Sequence, residues 1–408
     1  LDRLVNEGGP ESTDAAARRE ALTGRFVDAF PADDRAPSLL VRRIAQDENP
    51  GMEDLDVLLG VPSTHPTWEL ARRRAVQMLY RSFRDARSGD RAEPGARMLE
   101  VADELLLRDR GVANDFAGAD GMLLRQAAEV ASHPEVHDAI RAARYLAQIE
   151  TAAERGGFSE VPDIVNEAAY RRIGLALGGG DYEEASVRML AMPIDPDTPE
   201  ADRWARLASQ LVHRMAIDRM RGGEVRVEVA RAAVRSGERH LELQAEMLEE
   251  PGADGFSVLD RDRMLPFAAS VAAARDALYR ATGRLEDGTQ ALVWYLAVLE
   301  RRPLDGSVLE ATGDLAEALG ESDVALDCWR RLARGANEGG ELWWKARTAQ
   351  IRTLLQIEPE AAVEVFDQLR ALHPDLGPEP WRSELLDLQT AVDQSRELRQ
   401  STSSEGGA

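Results

Sequence analysis

An alanine followed four residues later by an aromatic recurs three times near the C-terminal end of this chain. The pairs are Ala291 and Tyr295, Ala325 and Trp329, and Ala362 and Phe366, with alanine-to-alanine spacings of 34 and 37 residues. Pro303 and Pro374 follow the first and third alanines by 12 residues, and Gly313 precedes the second by 12. A period of this length constrains the fold more than any single motif. One hairpin-sized unit cannot bury its apolar face alone, so neighbouring units must stack to cover it. Alanine lets two helices approach closely, and an aromatic fills the gap left beside the next unit.

The rest of the chain reads as helix. Sustained period-2 alternation is absent, and no Asn-Gly turn separates β-branched runs. EVRVEVA (Glu224 to Ala230) alternates briefly but runs into helical spacing, and it reads as a helix start. HPTWELARRRAVQMLYRSFRDA is one long helix that ends before Ser88 and Gly89. Ser132 to Glu135 (SHPE) has capping-box spacing and predicts a helix start there, running to Gly156 and Gly157. Such segments predict 16 to 18 helices joined by short loops, an all-α solenoid of helical hairpins. The organisation expected is a polar, partly helical or flexible segment over 1–36, irregular repeats over 37–250, clear repeats with a capping helix over 257–399, and a disordered tail over 400–408. EEPGADGFS (Glu249 to Ser257) is the expected internal break.

At the repeated residues the chain resembles the tetratricopeptide repeat family. That helix–turn–helix motif has a small residue in its first helix, then an alanine, an aromatic and a proline in and after its second. The frames run about 272–305, 306–339 and 343–376. LALGGGDYEEA (Leu175 to Ala185) fits the same motif, with Gly180 at the turn, Ala185 at the alanine position and Met189 in place of the aromatic. Trp204, Leu207, Ala208 and Leu211 match a first helix. Tyr279 departs from the pattern, standing where a small residue belongs, and the stripe Trp344, Thr348, Ile351, Leu355 puts the last frame's first helix out of register. The resemblance implies a concave groove lined by first helices, and a scaffold or adaptor that holds another protein there. The groove positions it implies are Asp276, Arg280, Glu310 and Asp314. The carboxylates would repel a partner's C-terminal carboxylate and favour a basic or amphipathic segment.

Charge narrows the partner further. The formal net charge is −23, and lysine occurs once, at Lys345, so arginine carries the positive charge. A surplus of arginine over lysine is what a GC-rich, bacterial coding sequence produces. An acidic surface repels phosphates, so nucleic acid is not expected as a partner. The longest strong apolar run, ALVWYLAVL (Ala291 to Leu299), is too short to span a bilayer, so no membrane insertion is expected. The chain begins at Leu1 rather than Met. A cytoplasmic location is the expectation, or an extracytoplasmic one if a signal segment has been removed, in which case an assembly factor of tetratricopeptide type is the alternative reading.

No catalytic, cofactor or metal site is expected. The triple glycine of LALGGGDYEEA lacks the lysine of a phosphate loop and the strand of a dinucleotide fingerprint, so it reads as a turn between helices. His133 and His137 have the spacing of a metal pair on one helix face, without a third ligand nearby. DPDTPEAD (Asp195 to Asp202) is acidic like a calcium loop but has Glu200 and Pro199 at positions that loop cannot spare. Cys328 is a lone thiol beside Trp329, suited to packing. Seven tryptophans and many carboxylates leave one enzymatic alternative, a toroid acting on carbohydrate.

Overall fold

The computed structural model describes residues 10–405 except 31, 32, 34, 48, 49, 107–118, 159–161, 195–198, 224 and 249–253. Among the described residues there are eighteen α-helices, two short 3₁₀ turns and no strand. The chain divides into two compact units, 1–175 and 176–408.

The first unit holds α1 (Pro10–Ala29), α2 (Ala36–Gln46), α3 (Met52–Leu59), α4 (Trp68–Asp85), α5 (Ala92–Leu106), α6 (Ala119–Ser132), α7 (Ala139–Glu154) and most of α8 (Pro162–Gly178). From α1 to α7 each helix packs on its successor, and α4 also touches α6. One continuous core results. It runs from Val41 and Ile44 through Leu79, Phe83, Leu99 and Leu124 to Tyr145, Ile149, Ile164 and Ala168. Buried positions such as Ala71, Ala75 and Leu79 recur at three- and four-residue intervals, so each helix presents a stripe to its neighbours.

The second unit continues with α9 (Tyr182–Leu190), α10 (Pro199–Arg221), α11 (Val227–Glu246), α12 (Leu265–Thr282), α13 (Leu285–Arg301), α14 (Gly306–Leu319), α15 (Ser322–Gly335), α16 (Glu341–Ile357), α17 (Pro359–Leu372) and α18 (Trp381–Glu405). Helix-to-successor packing again runs throughout, and α12 touches α14 while α16 touches α18. The fold is thus all-α, built of helices stacked in chain order, as a solenoid is.

The repeated residues carry this packing. Ala185, Ala291, Ala325 and Ala362 have no exposed surface, and Tyr295, Trp329 and Phe366 are buried. Pro303 and Pro374 follow the ends of α13 and α17. The hairpins tolerate the departure at Tyr279 by exchanging large for small across the pair. A Cβ at Gly288 on α13 would sit 3.0 Å from the Tyr279 ring on α12, and a Cβ at Gly313 on α14 would sit 2.7 Å from the Trp329 ring on α15. One bulky side chain and one missing side chain serve each hairpin, whichever helix carries which. Trp343 and Trp344 are both buried, because α16 packs against α15, α17 and α18. That burial on several sides moves its stripe off the motif's register.

Several expectations change. Ser132 to Glu135 do not start a helix. Ser132 ends α6, where its Oγ donates to the Ala128 carbonyl at 2.7 Å. Asp138 caps α7 by accepting from the Arg141 N–H at 2.9 Å. Glu135 instead accepts from the backbone N–H groups of Gly89 and Arg91, both at 3.0 Å, so its carboxylate closes a neighbouring loop rather than a capping box. The two compact units divide between 175 and 176, within α8, a place that no break in the sequence marks. Leu241 and Ala245 of α11 share one core with Val258, Leu259 and Leu265, so packing bridges the polar break. Of that break, residues 249–253 lie outside the described residues. On α10 the stripe turned most fully inward is Ala205, Ala208, Val212 and Ala216, while Trp204, Leu207 and Leu211 are half-buried. At 23 residues α10 is long enough to drift from the motif's register. The low-complexity tail is helical as far as Glu405, as the continuation of α18. Residues 1–9, 195–198 and 406–408, which include part of the acidic loop weighed for calcium, are outside the described residues.

Candidate partner-binding surfaces

Asp276 and Arg280 stand on α12, Glu310 and Asp314 on α14, and the fold brings them together. It adds a residue the motif did not supply. Lys345 reaches across from α16, its Nζ 2.7 Å from Glu310 Oε1 and 2.7 Å from Asp314 Oδ2. Arg280 Nε pairs with Asp276 Oδ1 at 2.9 Å. Burial alone would lower the Lys345 pKa, but the hydrogen bonds to Asp314 and Glu310 outweigh it and raise it. Burial raises the Asp276 pKa against the opposing pull of Arg280. Three carboxylates therefore face two cations of the same chain. A bare acidic trough, the basis for expecting a basic segment at these positions, is mostly neutralised. Lys345 lies 31 and 35 residues beyond its partners, a distance that only the stacking closes.

One turn further along α14, Glu317 gathers three elements. Its Oε1 accepts from Trp329 Nε1 at 2.8 Å and from Thr353 Oγ1 at 3.0 Å, and its Oε2 pairs with Arg352 at 2.8 Å. Arg352 also reaches Glu384 on α18. These contacts lock helices in place and leave little for a ligand.

A less compensated acidic surface lies along α11. Glu238, Glu242 and Glu246 follow one another at four-residue spacing. With Asp254, Gln290, Phe256 and Trp294 they line an open cleft of about 500 Å3. Burial raises the Glu238 pKa, although Arg275 on α12 holds it by an Nε–Oε1 contact of 2.6 Å. Glu242 pairs with Arg239 at 3.0 Å and remains exposed, as do Glu246 and Asp254. Sequence reasoning passed over this cleft because it scored tryptophans and carboxylates separately. The signal was the four-residue carboxylate row on α11.

In the same cleft a tryptophan and carboxylates meet, the residue types behind the carbohydrate alternative. A sugar needs an open indole face. The Trp294 face is covered by the Phe256 ring at a centroid distance of 4.1 Å, nearly parallel, and Trp294 is only 5% exposed. Trp343 and Trp344 meet edge to face at 4.8 Å, and both rings also contact His373. These rings serve packing.

The glycine-rich loop is a helix stop. Gly180 has φ 79°, its N–H donates to the Leu177 carbonyl at 3.0 Å, and the Asp181 N–H donates to the Ala176 carbonyl at 2.9 Å. These are the two bonds of a left-handed C-terminal turn. Asp181 then caps α9 by accepting from the Glu184 N–H at 2.9 Å. His133 and His137 lie in the turn after α6, not on a helix face. His133 Nε2 accepts from Arg91 at 3.2 Å, and its ring meets Phe83 edge-on at 5.2 Å. Among the described residues no group of three or more His, Cys, Asp or Glu could hold a metal ion. Burial pushes the Cys328 thiol up to about 11, with Asp327 adding to the rise, so it stays protonated at neutral pH. No helix among the described residues is long and apolar enough to cross a membrane.

No family model matches the chain, and no curated protein matches it. Among solved structures the chain is similar to one described as "Circular tandem repeat protein with novel repeat topology and enhanced subunit contact surfaces", at 15% identity and a TM-score of 0.20, over 99% of this chain and 95% of that one. At that identity and score the likeness carries no argument.

Proposed function

We propose that the protein is a helical-repeat scaffold of tetratricopeptide type, and that its second unit holds an Arg- or Lys-bearing segment of another protein in the cleft beside α11. The observation that carries this reading is that the row Glu238, Glu242, Glu246 and Asp254 line one cleft with the stacked Phe256–Trp294 pair. Exposed carboxylates in a partly enclosed cleft attract a guanidinium or ammonium group and speed its capture. The half-buried Phe256 in its lining suits the methylene stem that such side chains bury. The net charge of −23 works in the same direction at long range and against nucleic acid.

The test uses a labelled peptide of alternating arginine and alanine, with a citrulline-for-arginine version as control. The arginine peptide is expected to bind the full chain more tightly at low salt than at high salt, since exposed charges are screened beyond about 10 Å at 0.1 M. Glu242→Gln with Glu246→Gln is expected to weaken it about tenfold, roughly 1.4 kcal/mol. Equal binding of both peptides, or arginine-peptide binding unchanged in the double variant, removes this cleft from the account.

A further inference from the structure

We propose that Ser270, on α12 of the second unit, is a nucleophile activated by His213 on α10, and that the pair hydrolyses small carboxylic esters in the cleft that Ser270 lines.

The two residues lie 57 positions apart, and stacking brings His213 Nε2 to 2.7 Å from Ser270 Oγ. The other ring nitrogen, Nδ1, lies 2.7 Å from the Ala233 carbonyl oxygen on α11. A carbonyl oxygen only accepts, so Nδ1 carries the hydrogen of the neutral ring and Nε2 presents its lone pair to Ser270. A hydroxyl, a base within reach of it and a third group that orients the base form the constellation of an activated nucleophile. The Phe267 ring, at a centroid distance of 4.4 Å, packs against the imidazole. Gly237 leaves it room, since a Cβ there would sit 2.8 Å from Nδ1. Burial pushes the His213 pKa down to about 4, with His240 and Arg221 acting in the same direction against the Ala233 hydrogen bond, so the base is free of its second proton at neutral pH. The Ser270 proton has two acceptors, Nε2 and the Phe267 carbonyl at 2.6 Å, and rotation about the Cβ–Oγ bond turns it from one to the other.

Ser270 is half-buried and lines a cleft of about 340 Å3, with Leu265, Ala269, Val298 and Val308 as apolar wall. That wall suits a short aliphatic acyl chain. In the reaction Oγ attacks the ester carbonyl carbon while its proton passes to Nε2. The tetrahedral adduct expels the alcohol, which takes that proton, and an acyl ester on Ser270 remains. Water attacks the acyl carbon, His213 takes its proton and returns it to Oγ, and the carboxylic acid leaves. Nothing is oxidised or reduced, and water is the co-reactant. A carbonyl behind Nδ1 supports the imidazolium less than a carboxylate would, so turnover is expected to be slow. The site shares no lining residue with the cleft beside α11 and stands independently of it.

The experiment treats the full chain with a labelled alkyl fluorophosphonate, which phosphonylates an activated serine with loss of fluoride, and locates the label by peptide mass spectrometry. The label is expected on Ser270 and not on Ser307, which lines the same cleft but donates its hydroxyl to Asp305 at 2.7 Å. His213→Gln, with helicity checked, should slow labelling about a hundredfold or more, the lower end of what a general base contributes. The full chain should also hydrolyse p-nitrophenyl butyrate, and Ser270→Ala should remove that hydrolysis. No label on Ser270, equal labelling of Ser270 and Ser307, a labelling rate unchanged in folded His213→Gln, or ester hydrolysis that is absent or survives Ser270→Ala overturns the proposal and leaves the pair as a hydrogen bond of the core.

Discussion

Gly313→Ala tests how the hairpins are built. An ideal Cβ at Gly313 would lie 2.7 Å from both Cε2 and Cζ2 of Trp329, and 3.0 Å from Cδ2. Carbon atoms in good contact stand about 3.5–4.0 Å apart, so the indole would have to retreat by about 1 Å. It has little freedom to do so. Trp329 has no exposed surface, and its Nε1 is held by Glu317. Forcing a methyl group into a packed core costs about 1–3 kcal/mol. Replacing a helical glycine by alanine returns about 1 kcal/mol in intrinsic propensity. The net expectation is a loss of up to about 2 kcal/mol. Gly335→Ala is the control: it sits in the last turn of α15, where an added Cβ meets no atom within 4 Å. That change should stabilise by up to about 1 kcal/mol. The assay is urea denaturation followed by far-ultraviolet circular dichroism, comparing midpoints at equal slope. In a Trp329→Ala background the Gly313→Ala effect should change sign, because the obstruction is gone. If Gly313→Ala and Gly335→Ala shift the midpoint alike in wild type, Gly313 does not face Trp329, and the pairing of α14 with α15 is wrong.

Trp329→Ala alone should cost about 3–5 kcal/mol, the range for emptying a large aromatic site, read as a lower denaturation midpoint. Lys345→Met should cost about 0.5–2 kcal/mol, since two half-exposed ion pairs of about 0.2–1 kcal/mol each are lost and Glu310 and Asp314 are left facing one another; the loss should shrink at high salt. His213 is buried, and burial pushes its pKa down to about 4 from the usual 6.5, outweighing the opposing hydrogen bond to the Ala233 carbonyl. The unfolded chain takes up a proton below 6.5 that the folded chain refuses, so stability is full above 6.5 and falls by up to about 3 kcal/mol as pH drops to 4. Thermal midpoints across that window should show the slope, and His213→Gln should flatten it.

The all-helical class was legible because alanine–aromatic pairs, glycine stops and three- to four-residue spacing all act locally. Gly180 with Asp181 and Gly320 with Glu321 end one helix and begin the next using bonds that span only a few residues. Two kinds of fact were not legible. Ser132 to Glu135 satisfied a capping pattern, yet Asp138 formed the cap, because Glu135 was drawn to backbone donors 44 and 46 residues away. The charge state of the expected groove depended on Lys345, which stacking places beside Glu310 and Asp314. Both failures have one cause: local patterns fix where a carboxylate stands on its helix, but a neighbouring repeat decides what it meets.

That dependence recurs along this structure. Asp103 on α5 binds Arg141, Arg144 and Tyr145 on α7, and Arg125 on α6 binds Glu167 on α8 at 2.6 Å. Glu310, Asp314 and Glu317 on α14 bind Lys345 and Arg352 on α16, and Arg352 goes on to Glu384 on α18. Each of these pairs joins a helix to the next but one. Faces rich in alanine and leucine give adhesion but little register, since sliding by one turn presents similar surfaces. A charge pair tolerates no such slip, because a helix shifted by one turn leaves both partners about 5.4 Å away from their contacts. Individually these exposed or half-exposed pairs contribute about 0.2–1 kcal/mol. Their larger effect is to disfavour misaligned stacks, in which a carboxylate would meet another carboxylate. In a chain with 73 acidic and 50 basic residues, that penalty is easily incurred. Cations are the scarcer charge here, and those in the ladder are already committed to neighbouring helices. Among the described residues, the carboxylates along α11 are a surface that this pairing leaves incompletely answered.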